Sequence, residues 1–140
     1  MKRNKKYFEQ ISIELENIEK SLLELPHYKK LSKLSLLELA GTAAMLHSIY
    51  NGVENILKQL CAASIPEGRF WHKELLLLSV KKKIIKKRTA ELLKEYLAFR
   101  HFFVHAYSLD IYSEKMSPLV QHVPKTIKMF KADIKRFTRG

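Results

Sequence analysis

Apolar residues recur every three or four positions through most of this chain, and several of these stretches are closed by a proline, a glycine or a run of lysines. The first stretch, about Asn4 to Leu25, puts Phe8, Ile11, Leu15, Ile18, Leu22 and Leu25 on one helical stripe, and Pro26 ends it. The second opens at Ser35 with Glu38 three residues on. This is the capping-box pattern, in which each side chain satisfies a backbone N–H that the helix start leaves unpaired. It is expected to reach about Ala63, with Leu36, Leu39, Ala43, Leu46, Tyr50, Val53, Leu57 and Leu60 on one face. Leu37, Ala44, Ile49 and Ile56 form a second face, which predicts a central helix buried on two sides.

Pro66-Glu67-Gly68 reads as a turn, followed by a shorter helix from about Phe70 to Val80 and a basic stretch, Lys81 to Arg88. A fourth helix is expected over about Thr89 to Val104. Ser117-Pro118 reads as a cap and a first-turn proline, opening a last helix to about Phe137. The alternation expected of strands is nearly absent, and no repeat or linker interrupts the chain. The pattern predicts an all-α fold: one domain over residues 1–140, an antiparallel bundle of four to five helices.

Composition changes this picture in two places. The lone cysteine, Cys61, has apolar neighbours and no partner for an internal disulfide, so it reads as core filler in a reducing, cytoplasmic setting. The longest apolar run, Leu75 to Leu78, is too short for a membrane span, and the basic segment Met1 to Lys6 is not followed by an apolar signal region. Charge says more. Twenty-six Lys and Arg against fourteen Asp and Glu give a formal net charge of +12 and a pI near 9.8. Such a field draws phosphate backbones, anionic membranes or an acidic protein, and nucleic acid or an acidic partner is the expectation here.

The fourth helix ends in Phe99-Arg100-His101-Phe102-Phe103-Val104-His105-Ala106-Tyr107. Leu92, Tyr96, Phe99 and Phe103 are its core stripe, which leaves Arg100 at the stripe's edge and His101 and His105 together on the opposite face. Histidine suits proton transfer near neutral pH, and the arginine fork suits a phosphate. RNA cleavage by transesterification needs both: a base for the 2′-hydroxyl proton, an acid for the leaving 5′-oxygen, and a cation for the charge on phosphorus. It needs no metal and no cofactor. The competing reading is that the histidines only complement the dipole at a helix C-terminus. Arg100 and His105 diverge by about 140° on a regular helix. Either the helix breaks before His105, or two copies pair about a twofold axis and pool these residues.

Arginine, four residues, histidine, one residue, tyrosine is the signature of HEPN ribonucleases in the form found in HepT toxins, and Arg100, His105 and Tyr107 match it without a gap. Leu46-His47, Tyr50-Asn51-Gly52-Val53-Glu54, Pro66-Glu67-Gly68 and Trp71-His72 also resemble HepT-like proteins, so the similarity spans roughly residues 45–107. The resemblance implies a HEPN-type bundle that forms a C2 homodimer, with two arginine–histidine motifs lining a shared cleft that cuts RNA without metal. It implies a partner, a minimal nucleotidyltransferase antitoxin of the MntA type, which silences the toxin by transferring AMP to the motif tyrosine. Arg100 would then stabilise the scissile phosphate, His105 act as acid or base, and Tyr107 be the modified position.

Residues beside the motif carry less. His101 assists on the same face or is a solvent-facing spectator. Glu54 shares a stripe with His47 and Tyr50, where it can orient Arg100 by an ion pair; pairing with a surface lysine is the favoured alternative. Trp71-His72 reads as a packing anchor at a helix start, and nothing singles out Tyr112 as a second modified tyrosine. His101 and His105 have a spacing that suits zinc, but no Glu lies between them and Cys61 is far away in sequence. The resemblance implies RNA as the substrate class, mRNA or tRNA, to which Lys81 to Arg88 and the N-terminus would add salt-dependent affinity. The competing function is a helical module that binds RNA or a nucleotidyltransferase without cutting.

Overall fold

A computed structural model describes residues 5–62, 66–105 and 112–139 of the protein, with side chains for 8–62, 66–103 and 112–139. Among these residues there are five α-helices, one 3₁₀ segment and no strand. The helices are α1 (Lys5–Glu24), α2 (Leu36–Cys61), α3 (Trp71–Lys81), α4 (Lys87–His105) and α5 (Ser113–Arg139), with the 3₁₀ segment at Tyr28–Lys33.

The expected capping box forms: Ser35 Oγ accepts from the Glu38 N–H at 3.1 Å, and Glu38 accepts from the Ser35 N–H at 2.9 Å. The paired bonds hold the Glu38 carboxyl below its ordinary pKa of 4.5, the backbone N–H of Ser35 contributing most. At the other end of α3, Lys83 adopts φ +62°, and the Ile84 N–H reaches back to the Ser79 carbonyl at 2.9 Å. That is the Schellman closure, with lysine in the left-handed position where glycine is usual and Ile84 buried behind it.

Residue pairs across the helices give the topology. Ile18 meets Gly52 and Glu14 meets Asn55, so α1 runs antiparallel to α2. Asn51 meets Arg100 and His47 meets Phe103, so α4 is antiparallel to α2. Tyr96 meets Leu119 and Thr89 meets Asp133, so α5 is antiparallel to α4. The exception to an all-antiparallel bundle is α3. Glu54 meets His72 and Cys61 meets Ser79, a constant offset of 18 residues, so α3 runs parallel to α2. Trp71 starts beside the middle of α2 rather than beyond its end, and this brings α3 alongside the motif helix.

The core is continuous from Ile11 and Ile18 of α1 through Leu46, Val53, Ile56 and Leu57 of α2 to Phe130 and Ile134 of α5. Cys61 is buried there, as expected of core filler, and burial pushes its thiol pKa up. α2 departs from the two-sided burial expected of it. Ile49 and Ile56 are buried, but Leu37 and Ala44 are exposed, because only the C-terminal half of α2 is covered by α3 as well as by α1 and α4.

The start of the last helix also differs from expectation. α5 begins at Ser113, so Ser117 is not a cap; its hydroxyl donates to the Tyr28 carbonyl at 3.3 Å and ties α5 to the 3₁₀ segment. Pro118 and Pro124 both lie inside α5. Both are on its exposed face, where water can satisfy the carbonyls one turn back that lose their N–H partners. No helix among the described residues is long and apolar enough to cross a membrane.

Candidate active site

α4 is helical through His105, so the chain does not break between Arg100 and His105. Of the two ways to reconcile their divergence, a helix break is excluded. Opposite Arg100, α2 carries His47, Asn51 and Glu54 at helical spacing of four and three, which places all three on the stripe facing α4. α3 adds His72 from the side, because its parallel course begins next to Glu54.

Glu54 is the centre of the cluster and is only 2% exposed. Its Oε2 accepts from His72 Nδ1 at 2.7 Å, and its Oε1 stands 3.9 Å from Arg100 Nε. The same Nε donates to Asn51 Oδ1 at 3.4 Å. The Asn51 amide nitrogen lies 3.3 Å from His47 Nε2. Since Asn51 uses its oxygen on the arginine, its NH₂ donates to His47, which makes Nε2 an acceptor and places that ring's proton on Nδ1. His47 Nδ1 and the Tyr50 hydroxyl are buried without a hydrogen-bond partner among the described residues.

Electrostatics agree with this assignment. Burial, and then the nearby Arg100 charge, hold the His47 pKa below its ordinary value, so the ring is kept neutral. Burial pushes the Tyr50 phenol far above its ordinary range; Glu54 adds to that and Arg100 opposes it. Tyr50 therefore stays protonated. The packing around the cluster is aromatic: the His47 ring is 5.2 Å from that of Phe103, which lies 6.1 Å from Phe99. The outcome is an arginine half-sunk between helices, with its Nε edge tied to a neutral amide and faced by a buried carboxylate.

Two sequence-based expectations require correction. Glu54 does not pair with a surface lysine: position 54 points into the junction of α2, α3 and α4, where its partners are His72 and Arg100. Trp71-His72 is not only a packing anchor. Trp71 does open α3 and packs on the core, with Lys58 Nζ 4.5 Å from its ring centroid. His72 turns instead to the Glu54 carboxylate. His101 is exposed on α4. The side chain of His105 and the whole of Tyr107 lie outside the described residues. The parts not foreseen are the roles of His47, Asn51 and His72. A signal was present for the first two, since the polar residues at positions 47, 51 and 54 share one helical face. No spacing rule links position 72 to position 54.

Among the described residues no group of three or more His, Cys, Asp and Glu side chains is placed to hold a metal ion. A family model described as HepT-like protein matches residues 41–140, a region that starts within α2, runs through α5 and contains the whole cluster. No curated protein and no solved structure matches the chain.

Proposed function

The chain belongs to the HepT-like protein family, and from that premise we propose that it is a metal-independent endoribonuclease toxin, residues 1–140 forming one HEPN domain. The observation that carries the reading is the anchoring of Arg100, the first residue of the Arg-x₄-His-x-Tyr motif, against Asn51 and the buried Glu54. Burying a carboxylate is costly, and packing α4 onto α2 would not require one. Orienting a guanidinium does. Both contacts to α2 use Nε, which leaves the terminal nitrogens as the fork for a phosphate.

In this reading Arg100 neutralises charge on the scissile phosphate, and His105 transfers a proton. The 2′-hydroxyl loses its proton to a base, its oxygen bonds to phosphorus, and the 5′-oxygen leaves with a proton from an acid. The products carry a 2′,3′-cyclic phosphate and a 5′-hydroxyl. A helix unbroken from Arg100 to His105 keeps the two about 140° apart in register. One phosphate therefore needs the motifs of two copies, and the active species is a C2 homodimer. His101 is an auxiliary residue at most; Glu54 positions Arg100.

Control comes from an MntA-type nucleotidyltransferase. The Tyr107 phenol oxygen attacks the α-phosphorus of ATP, pyrophosphate leaves, and the phenol proton is lost. Each adenylyl group puts a negative phosphate and bulk where the RNA phosphate binds. The formal net charge of +12 favours RNA approach, and the setting is the cytoplasm.

The test is activity and intact mass together. The chain is expressed with and without such a nucleotidyltransferase and ATP, and each product is incubated with total RNA in EDTA. The lone protein should cut RNA, and the co-expressed protein should gain AMP on Tyr107 and fall silent. If neither form cuts RNA and neither gains mass, the chain is a helical binding module that retains the motif.

A further inference from the structure

α4 faces a second partner on its other side. Phe99 and Phe102 of α4, with Glu95 at the rim, meet Tyr112, Lys115 and Leu119 around a cavity of about 430 Å³. Two rings and a cation converge there. Lys115 Nζ is 5.8 Å from the Phe102 ring centroid and 5.9 Å from that of Tyr112. Tyr112 is 47% exposed, and Phe102 is half-buried against Phe99, with the buried Met116 as part of the floor. The cleft is separate from the Arg100 cluster: Phe102 falls about 160° around the helix from Arg100. It is nevertheless close to the motif in the other direction, since His105 follows Phe102 by a single turn of α4.

We propose that this cleft is a nucleobase subsite, which takes one base of single-stranded RNA next to the cleavage position. The inference rests on the ribonuclease reading and adds to it a place for the substrate's base. The cavity is at the small end of the range of about 300–1,000 Å³ usual for ligand sites, which suits one planar ring rather than a peptide segment. An aromatic face beside a cation is the arrangement that single-stranded nucleic-acid sites use, stacking for the base and charge for the phosphate attached to it. Glu95 supplies an acceptor at the rim for an exocyclic amino group, such as that of cytosine or adenine. A flat stacking surface of this kind requires an unpaired base, which accords with cleavage of loops or single-stranded stretches rather than duplex.

The experiment uses the full chain with His105→Ala, which should leave RNA uncut, and a short single-stranded RNA carrying 2-aminopurine. Stacking quenches 2-aminopurine, and anisotropy of a labelled copy reports affinity. The expected result is quenching on binding, lost in Tyr112→Ala together with about a tenfold loss of affinity. Tyr112→Trp, which enlarges the stacking face, should keep both. In the His105 background of the natural sequence, Tyr112→Ala should raise KM about tenfold and leave kcat unchanged, as loss of uniform binding requires. Unchanged quenching and affinity in a folded Tyr112→Ala protein would overturn the subsite, as would no quenching by any single-stranded RNA. Free AMP competing as well as the RNA would reassign the cleft to a mononucleotide and overturn it too. The binding arm is independent of cleavage: quenching that depends on Tyr112 without RNA cutting would sink the ribonuclease and keep the base site.

Discussion

Replacing Glu54 with Gln tests whether the buried carboxylate is held by the His72 and Arg100 side chains beside it. The substitution keeps shape and removes charge. Its largest consequence is at His72, whose Nδ1 lies 2.7 Å from the carboxylate in a bond between side chains 20% and 3% exposed. A hydrogen bond to a charged group contributes about 1.5–3 kcal/mol, and a neutral amide retains roughly half of that. The Arg100 contact at 3.9 Å is beyond hydrogen-bonding range. Coulomb's law at an effective dielectric near 20 gives roughly 4 kcal/mol there before desolvation, which cancels most of it and leaves about 1 kcal/mol. Glu54→Gln should therefore destabilise the fold by about 2 kcal/mol, or lower Tm by roughly 6 °C for a chain of this size. Thermal unfolding followed by circular dichroism at pH 7 measures it, and a double-mutant cycle with His72→Asn should return a coupling of about 1 kcal/mol. An unchanged or raised Tm would refute the reasoning. It would mean that desolvating the charge costs as much as its partners return, and that Glu54 does not hold Arg100.

Three further outcomes follow from the same geometry. Arg100→Lys keeps the charge but loses the Nε bond to Asn51 and the planar fork, so RNA cleavage should fall about 10²-fold with little change in Tm; near-normal kinetics would remove Arg100 from the chemistry. His47, whose pKa is held below 6.5 by burial and by Arg100, binds fewer protons folded than unfolded as pH drops below that value. Its share of stability is present above pH 6.5 and is lost as pH falls through the lower folded value, so denaturant unfolding should show less acid sensitivity in His47→Gln than in the natural sequence. Gly52→Ala would place a Cβ 2.7 Å from Ile18 Cγ1, which itself is buried. Overpacking costs about 1–3 kcal/mol against a helix-propensity gain near 1 kcal/mol, so a net loss of roughly 1 kcal/mol in urea unfolding is expected.

The helices were legible because each is written in one segment of chain. The stripe through Ile11 and Ile18, the Ser35–Glu38 box and the run from Tyr96 to Phe103 all act within a few residues, and periodicity reports such interactions directly, although at the turn before them it is Leu93 and not Leu92 that enters the core. The start of α5 was misread for the same reason. Ser117-Pro118 carries a local signal for a helix start, but the helix extends back to Ser113, and Ser117 instead bonds to Tyr28, 89 residues earlier. The motif residues were visible in the chain, as was the amphipathic logic that puts Phe99 and Phe103 inward. What the chain alone determined is the set of helices, the family pattern and the arginine at the edge of its stripe. Only the tertiary structure decided that α3 runs parallel to α2, that His72 thereby meets Glu54, and that Tyr112 and Lys115 meet Phe102 across α4 and α5. These contacts join segments whose separation in sequence imposes no spacing, so packing of the apolar faces sets them.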